Sequence, residues 1–296
     1  MLIEITRMCN EKCTHCMVNA LPDGPHMKSA TFAKALDFGL LNKLKIFSIS
    51  GGEPTLHPEF FKMMHFMFTI IKNKEVGVLL ESNGWWIEDK KMCERISKLM
   101  DHPQVLGMQI STNKKYYPNY EWTMSHREDY EKLHSKIKFT ADWQGVDTHL
   151  RYMGRGKNIL NKDDATGFPN CMNWVSYALN LNNFGIPSNK QCIQAIGEIA
   201  IMRGKVCTPY ITYDGRISIC EGDCVPSLIS LDDWFAHTSR KLSDEMFKKI
   251  LDFIPCNKCG TFKNMSQEMC YKFDNLREQF GLPRKFEEAW LKLTKK

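Results

Sequence analysis

The sequence predicts an α/β chain built on a parallel sheet, and three observations carry that prediction. Apolar runs of strand length recur through the first half: Leu2 to Thr6, Ile46 to Ser50, Val76 to Glu81, Val105 to Ser111 and Ile137 to Trp143. Between them, segments around 28–42, 58–73, 87–100 and 126–136 carry apolar residues at helical spacing, as Phe60, Met63, Met64, Met67 and Ile71 do. Strand-then-helix order implies parallel pairing with right-handed crossovers. The third observation is chemical: the residues best suited to bind or react stand just after these strands, at the carboxyl ends where such sheets place ligands.

Composition narrows the class. A chain of 296 residues with 43% apolar content has material for one substantial core and a smaller module. No apolar run approaches the roughly 20 residues of a membrane helix, and the N-terminus lacks the ordered regions of a signal peptide. The expectation is a cytoplasmic protein with no membrane partner. The net charge of +6 is spread along the chain, so a solvated surface is favoured over a nucleic-acid track. Twelve cysteines in a reducing compartment argue for metal or redox chemistry rather than a disulfide framework.

The first strand runs directly into Cys9, Cys13 and Cys16. Three thiolates on one tight loop can each take an iron of a cubane cluster that normally has four cysteines, which leaves one iron open. The alternatives are three packed thiols or a zinc loop in which His15 supplies a nitrogen. The second strand ends in Ser50-Gly51-Gly52-Glu53-Pro54, the third in Ser82-Asn83-Gly84 and the fourth in Gln109-Ile110-Ser111-Thr112.

With those motifs in that order, the sequence resembles the radical SAM superfamily over residues 1 to about 160. The resemblance implies a partial (β/α)6 TIM-like barrel and a [4Fe-4S] cluster whose open iron binds S-adenosylmethionine. It further implies that an electron from the cluster breaks a carbon–sulfur bond to give a 5′-deoxyadenosyl radical, which abstracts a substrate hydrogen. It places Glu53 near the methionine amino group and Ser111 near the carboxylate. Ser82 and Asn83 fall around the ribose, and His15 beside the adenine. Gly51 and Gly52 lack a Cβ and so let backbone approach the ligand. Met17 and Arg155, the latter in a Gly-Arg turn resembling one near the last barrel strand of related enzymes, complete the cofactor-binding set. Trp85, Trp86, Tyr116, Tyr117, Asp142 and Trp143 are candidates to line the pocket.

Further along, Cys207 and Cys220 flank a hairpin signal at Asp214-Gly215, and Cys256 and Cys259 follow a helical run from Leu231 to Ile250. This second group resembles the Twitch module, the shorter relative of the SPASM extension, and implies one auxiliary [4Fe-4S] cluster on those four thiolates. Cys224 or Cys270 could replace one of them, and a zinc ribbon satisfies the same geometry. Cys93, Cys171 and Cys192 have no partner at ligand spacing.

The expected organisation is a barrel over 1–160, a linker or substrate-specific insertion over 161–206, an auxiliary-cluster module over 207–275 and a helical tail over 276–296. The expected activity is oxidative modification of a peptide or small metabolite, fed by an electron donor such as flavodoxin or ferredoxin. With eight residues before Cys9, a peptide substrate is expected to dock directly or through a separate recognition protein. The alternatives are radical modification of a nucleotide or nucleic acid through loops near Lys114-Lys115 and 151–157, or a non-catalytic zinc or iron–sulfur module.

Overall fold

The computed structural model describes residues 1–139 except 43 and 73, residues 154–158, 210–218 and 229–236, and scattered residues between 271 and 291. Five strands, β1 (Leu2–Thr6), β2 (Ile46–Gly51), β3 (Gly77–Ser82), β4 (Val105–Ile110) and β5 (Ile137–Phe139), alternate with helices. The helices are α1 (Ser29–Leu41), α2 (Phe60–Ile71), α3 (Lys90–Met100), α4 (Tyr120–Ser125) and α5 (Arg127–Leu133). A hairpin of β6 (Tyr210–Ile211) and β7 (Arg216–Ser218), then β8 (Ile229–Ser230) and α6 (Leu231–Ala236), complete the described elements. The sheet order is β5-β4-β3-β2-β1-β6-β7-β8; β1 to β6 pair in parallel, and β6 to β8 antiparallel.

Strand alternation sorts the side chains. Ile3, Ile5, Phe47, Ile49, Val78, Leu80, Met108, Ile110, Ile137 and Phe139 are buried in one cluster with Phe32, Leu36, Met63, Met64, Met67 and Ile96 from the helices. Their neighbours in sequence occupy the other face, which is polar at Glu4, Ser48, Ser50, Glu81, Gln109 and Ser111. Parallel strands covered on both sides normally read as continuous apolar runs. A polar inner face therefore marks the side of the sheet that faces the site.

Local chemistry sets the helix ends. Asp89 starts α3 by accepting from the backbone N–H groups of Lys91 and Met92 at 2.9 and 3.1 Å. The helix expected over 126–136 is α5, and a separate short helix not expected from the sequence, α4, precedes it. The Ser125 hydroxyl donates to the Trp122 carbonyl at 2.8 Å, and His126 Nδ1 reaches the same oxygen at 3.0 Å. Side-chain competition for that carbonyl closes α4 at Ser125, one residue before the expected start. The turn expected at Asp214-Gly215 is present, with Gly215 at φ +81°.

The segment 161–206, Asp142 and Trp143, and Cys171, Cys192, Cys207, Cys220, Cys224, Cys256, Cys259 and Cys270 lie outside the described residues. Among those that are described, no helix is long and apolar enough to cross a membrane.

Candidate active site

The chain leaves β1 at Thr6 and folds back on itself before α1. Arg7 N–H donates to the Pro25 carbonyl, Cys9 N–H to Leu21 and Met27 N–H to Ile5, at 2.8, 2.9 and 2.8 Å. These bonds hold the cysteine loop against the end of the sheet. Cys9 and Cys13 are buried and Cys16 half-buried, all with free thiols. Backbone N–H groups of Glu11 and Ala20 donate to the sulfurs of Cys9 and Cys16, each at 3.4 Å.

Burial pushes the Cys9 thiol up to about 12, and burial with the Glu11 carboxylate 3.3 Å away raises Cys13 further. Thiols so disfavoured as anions are poor nucleophiles. Bound iron would supply the missing positive charge and favour their thiolate form. Amide hydrogen bonds to sulfur are also what tunes an iron–sulfur cluster, so the donor set fits one. Among the described residues no three His, Cys, Asp or Glu side chains converge on a single metal ion. A cubane takes each thiolate on a different iron and asks for no such convergence.

The glycine pair at the end of β2 is built for the cysteine loop. Gly52 N–H donates to the Thr6 carbonyl and Glu53 N–H to the Met8 carbonyl, both at 2.7 Å. A Cβ on Gly51, at φ +149°, would lie 2.3 Å from Thr6 O, and one on Gly52 2.3 Å from Met8 O. The close approach that demands glycine is therefore between two backbone segments of the protein itself.

Glu53 is fully buried. Its Oε1 accepts from Thr55 N–H at 3.1 Å, the Thr55 hydroxyl at 2.6 Å and the Ser82 hydroxyl at 3.0 Å, and its Oε2 from Asn83 N–H at 2.6 Å. The Ser82 oxygen also accepts from Gly84 N–H and Trp86 Nε1, so its one hydrogen goes to Glu53. Burial pushes the Glu53 carboxyl up to about 7 against the pull of these donors. The side chain thus ties the end of β2 to the end of β3. Asn83 extends the tie, donating from Nδ2 to Asn10 Oδ1 at 2.8 Å while its own Oδ1 accepts from Trp85 N–H.

The segment after β4 closes another side. Ser111 N–H donates to the Ser82 carbonyl at 2.8 Å, and Asn119 Nδ2 to Glu11 at 3.2 Å. The His15 ring sits 5.3 Å from Tyr116 and 4.8 Å, edge-on, from Tyr117. Arg155, in a 3₁₀ turn over Gly154–Asn158, donates to the cysteine loop from its backbone and its guanidinium.

These elements surround a cleft with about 910 Å³ of empty space, open to solvent. Cys9, Cys13, Cys16, His15, Met17, Gly51, Gly52, Ser82, Asn83, Ser111 and Arg155 all line it; Glu53 does not. Of the other candidates, Tyr117 lines the cleft, whereas Trp86 is fully buried in the core against Tyr130 and Trp85 donates to the Thr55 hydroxyl. Trp86 is thus a packing residue, held there by its indole N–H bond to Ser82.

Gln109, the first residue of the motif that ends β4, lines the cleft; sequence reasoning missed Glu81 and Tyr210, which also line it, and Glu4, which is fully buried on the same inner face. Glu81 accepts from the Ser50 hydroxyl at 2.6 Å, and Glu4 pairs with Arg7 at 2.8 Å. Burial raises the Glu4 carboxyl, with Arg7 opposing. The available signal was a charged residue at an inward position of an otherwise apolar strand.

Comparison with known proteins agrees with this geometry. The Radical SAM superfamily model matches residues 3–140. YydG of Bacillus subtilis (strain 168), named for peptide biosynthesis, is 27% identical over 118 residues, which are 39% of this chain and 36% of YydG. The match thus spans about a third of the length of that curated relative. The structure of BtrN in complex with AdoMet and 2-DOIA is similar over 89% of this chain and 88% of its own, at 13% identity and a TM-score of 0.53. anSMEcpe with bound AdoMet and the Cp18Cys peptide gives a TM-score of 0.47 at 16% identity, over 98% of this chain and 94% of its own. The BtrN likeness supports the fold, and the Radical SAM superfamily model falls on β1 to β5 and on the loops that build most of the cleft.

Proposed function

We propose that the protein is a radical SAM enzyme that oxidatively modifies a peptide, with an auxiliary cluster assisting. The observation that carries the first part is the convergence on one cleft of three thiols, two with amides aimed at sulfur, and strand-end polar groups of β2, β3 and β4. Cys9, Cys13 and Cys16 would hold a [4Fe-4S] cluster, with S-adenosylmethionine against Met17, Gly51, Gly52, Ser82, Asn83 and Ser111, and with His15 beside its adenine. When bound, that pair supplies a 5′-deoxyadenosyl radical, which takes a hydrogen atom from the substrate to give 5′-deoxyadenosine. The electron left on the substrate then needs an acceptor if the product is two electrons more oxidised.

For that acceptor we assign an auxiliary [4Fe-4S] cluster on Cys207, Cys220, Cys256 and Cys259. The hairpin supports this: Tyr210 and Ser218 are cross-strand partners, Cys207 stands three residues before the first and Cys220 two after the second. Tyr210 also pairs in register with Leu2, at the beginning of β1, and both line the cleft. The cleft therefore runs from the cysteine loop toward the strand beginnings. A peptide substrate is supported by the relative named for peptide biosynthesis and by an inner wall of Ser50, Glu81 and Gln109, which offers hydrogen bonds to a polar chain. An external one-electron donor such as flavodoxin or ferredoxin completes the scheme.

The test is 5′-deoxyadenosine release by the anaerobically reconstituted protein with dithionite, challenged in turn with peptide, small-metabolite and nucleic-acid pools. Release that rises with the peptide pool supports the reading. A rise with one of the other pools alone replaces the substrate class. Pairing Cys256→Ala with Cys259→Ala should retain cleavage of S-adenosylmethionine and lose product.

A further inference from the structure

The cysteine loop has a construction problem. Cys9 to Ala20 form neither helix nor strand, yet every backbone carbonyl shielded from water needs a donor. One residue meets three of these demands from the far side of the chain. Arg155 N–H donates to the Cys16 carbonyl at 2.9 Å, its Nε–H to the Cys13 carbonyl at 2.9 Å and its Nη1–H to the Ala20 carbonyl at 2.7 Å. Arg155 follows Cys13 by 142 positions and lies beyond the matched domain.

We propose that Arg155 is a positioning residue that sets the shape of the cysteine loop and raises the reduction potential of the cluster the loop holds; the second half rests on the cluster reading above. Two carbonyls seven residues apart are fixed by one rigid planar group. Arginine alone presents two donors in that fixed relation, whereas lysine is a point charge on a flexible stem. The placement revises the role implied by resemblance, because two guanidinium nitrogens are already engaged with the loop that carries the thiolates. The fixed positive charge, held at the Cys13 and Ala20 carbonyls, favours the more reduced, more negative cluster, charge and hydrogen bonding being the levers on such potentials.

The segment that carries Arg155 also leads, in sequence, toward the second cysteine group. Completion of the cluster loop therefore depends on residues beyond the matched domain, and the loop takes its final shape only when 154–158 has docked.

The experiment has two readouts on the full-length chain. The first is hydrogen exchange in metal-free protein over residues 7–22, with residues 77–82 of β3 as internal reference. Arg155→Gln should speed exchange in the loop by about tenfold or more, as loss of charge-assisted hydrogen bonds implies, while β3 keeps its protection. Arg155→Lys should lie between. Unchanged loop exchange in Arg155→Gln, or equal loss across loop and β3, overturns the clamp.

The second readout is the reduction potential and electron paramagnetic resonance spectrum of the reconstituted N-terminal cluster. Arg155→Gln should shift the potential negative, and Arg155→Lys, which keeps the charge, should restore most of it. Equal potentials in all three proteins overturn the electrostatic role. Wild-type protein that takes up no cluster removes the functional reading and, with it, the potential effect, while exchange still decides the clamp. Cluster uptake with unchanged exchange removes the clamp alone.

Discussion

Replacing Glu53 by Gln separates a strut from a ligand. The two oxygens of Glu53 accept four hydrogen bonds, and every partner is a donor in the direction observed. A carboxamide keeps one oxygen. The less costly orientation leaves that oxygen at the Oε1 site with its three donors and turns the NH2 toward Asn83 N–H, which now lies 2.6 Å from Oε2. Losing that charge-assisted bond removes about 1.5–3 kcal/mol, and leaving a buried N–H without an acceptor costs about 1–3 kcal/mol. The neutral amide is easier to bury than a carboxylate, which offsets part of the loss. The net expectation is about 3 kcal/mol of destabilisation, or about 5 °C in Tm for a chain of this size. The assay is urea unfolding of the metal-free full-length protein at pH 7.5, followed by circular dichroism, beside S-adenosylmethionine binding by the reconstituted protein. An E53Q variant within about 0.5 kcal/mol of wild type that no longer binds S-adenosylmethionine would refute the strut and make Glu53 a ligand of the cofactor.

Gly52→Ala forces a Cβ to within 2.3 Å of Met8 O; relief breaks the backbone bonds to Thr6 and Met8, costs about 3 kcal/mol and lowers iron uptake, measured by unfolding and iron content. His57 donates from Nε2 to the Met27 carbonyl and accepts from Glu59 N–H at Nδ1, so the neutral ring satisfies both, and burial lowers its pKa. Its contribution is therefore present above the unfolded value near 6.5 and lost as the pH falls through the lower folded value; the stability difference between wild type and His57→Gln should narrow from pH 7 to pH 5. Cys13→Ala should release no 5′-deoxyadenosine under conditions where wild type does, and release at the wild-type rate would sink the cluster assignment.

The strands β1 to β4 were legible to within a residue or so because each is an apolar run long enough to bury its helix-facing side, and the motifs were legible because they follow such runs. The six-residue α4 was not, since a helix that short has no periodicity to read and ends on a side-chain bond from Ser125. Glu4 and Glu81 were hidden inside runs read as uniformly apolar; the period-2 pattern that aims them inward becomes meaningful only once the helix layer occupies the other face. The cysteine loop was read from spacing alone. What shapes it lies 73 to 142 positions away in chain order, in Asn83 bonded to Asn10 and in Arg155 bonded to Cys13, and no local pattern announces such partners. For the glycine pair, glycine is indeed required, but the neighbour that requires it is the backbone of Thr6 to Met8.

The most direct test of the central claim, that this cleft seats S-adenosylmethionine on an open iron, is electron paramagnetic resonance of the dithionite-reduced, reconstituted protein before and after S-adenosylmethionine is added. The account predicts a reduced-cluster signal that changes on addition in wild type and is absent from the spectrum when Cys9, Cys13 and Cys16 are all alanine. A signal carried by the N-terminal cysteines that stays the same at saturating S-adenosylmethionine would contradict it.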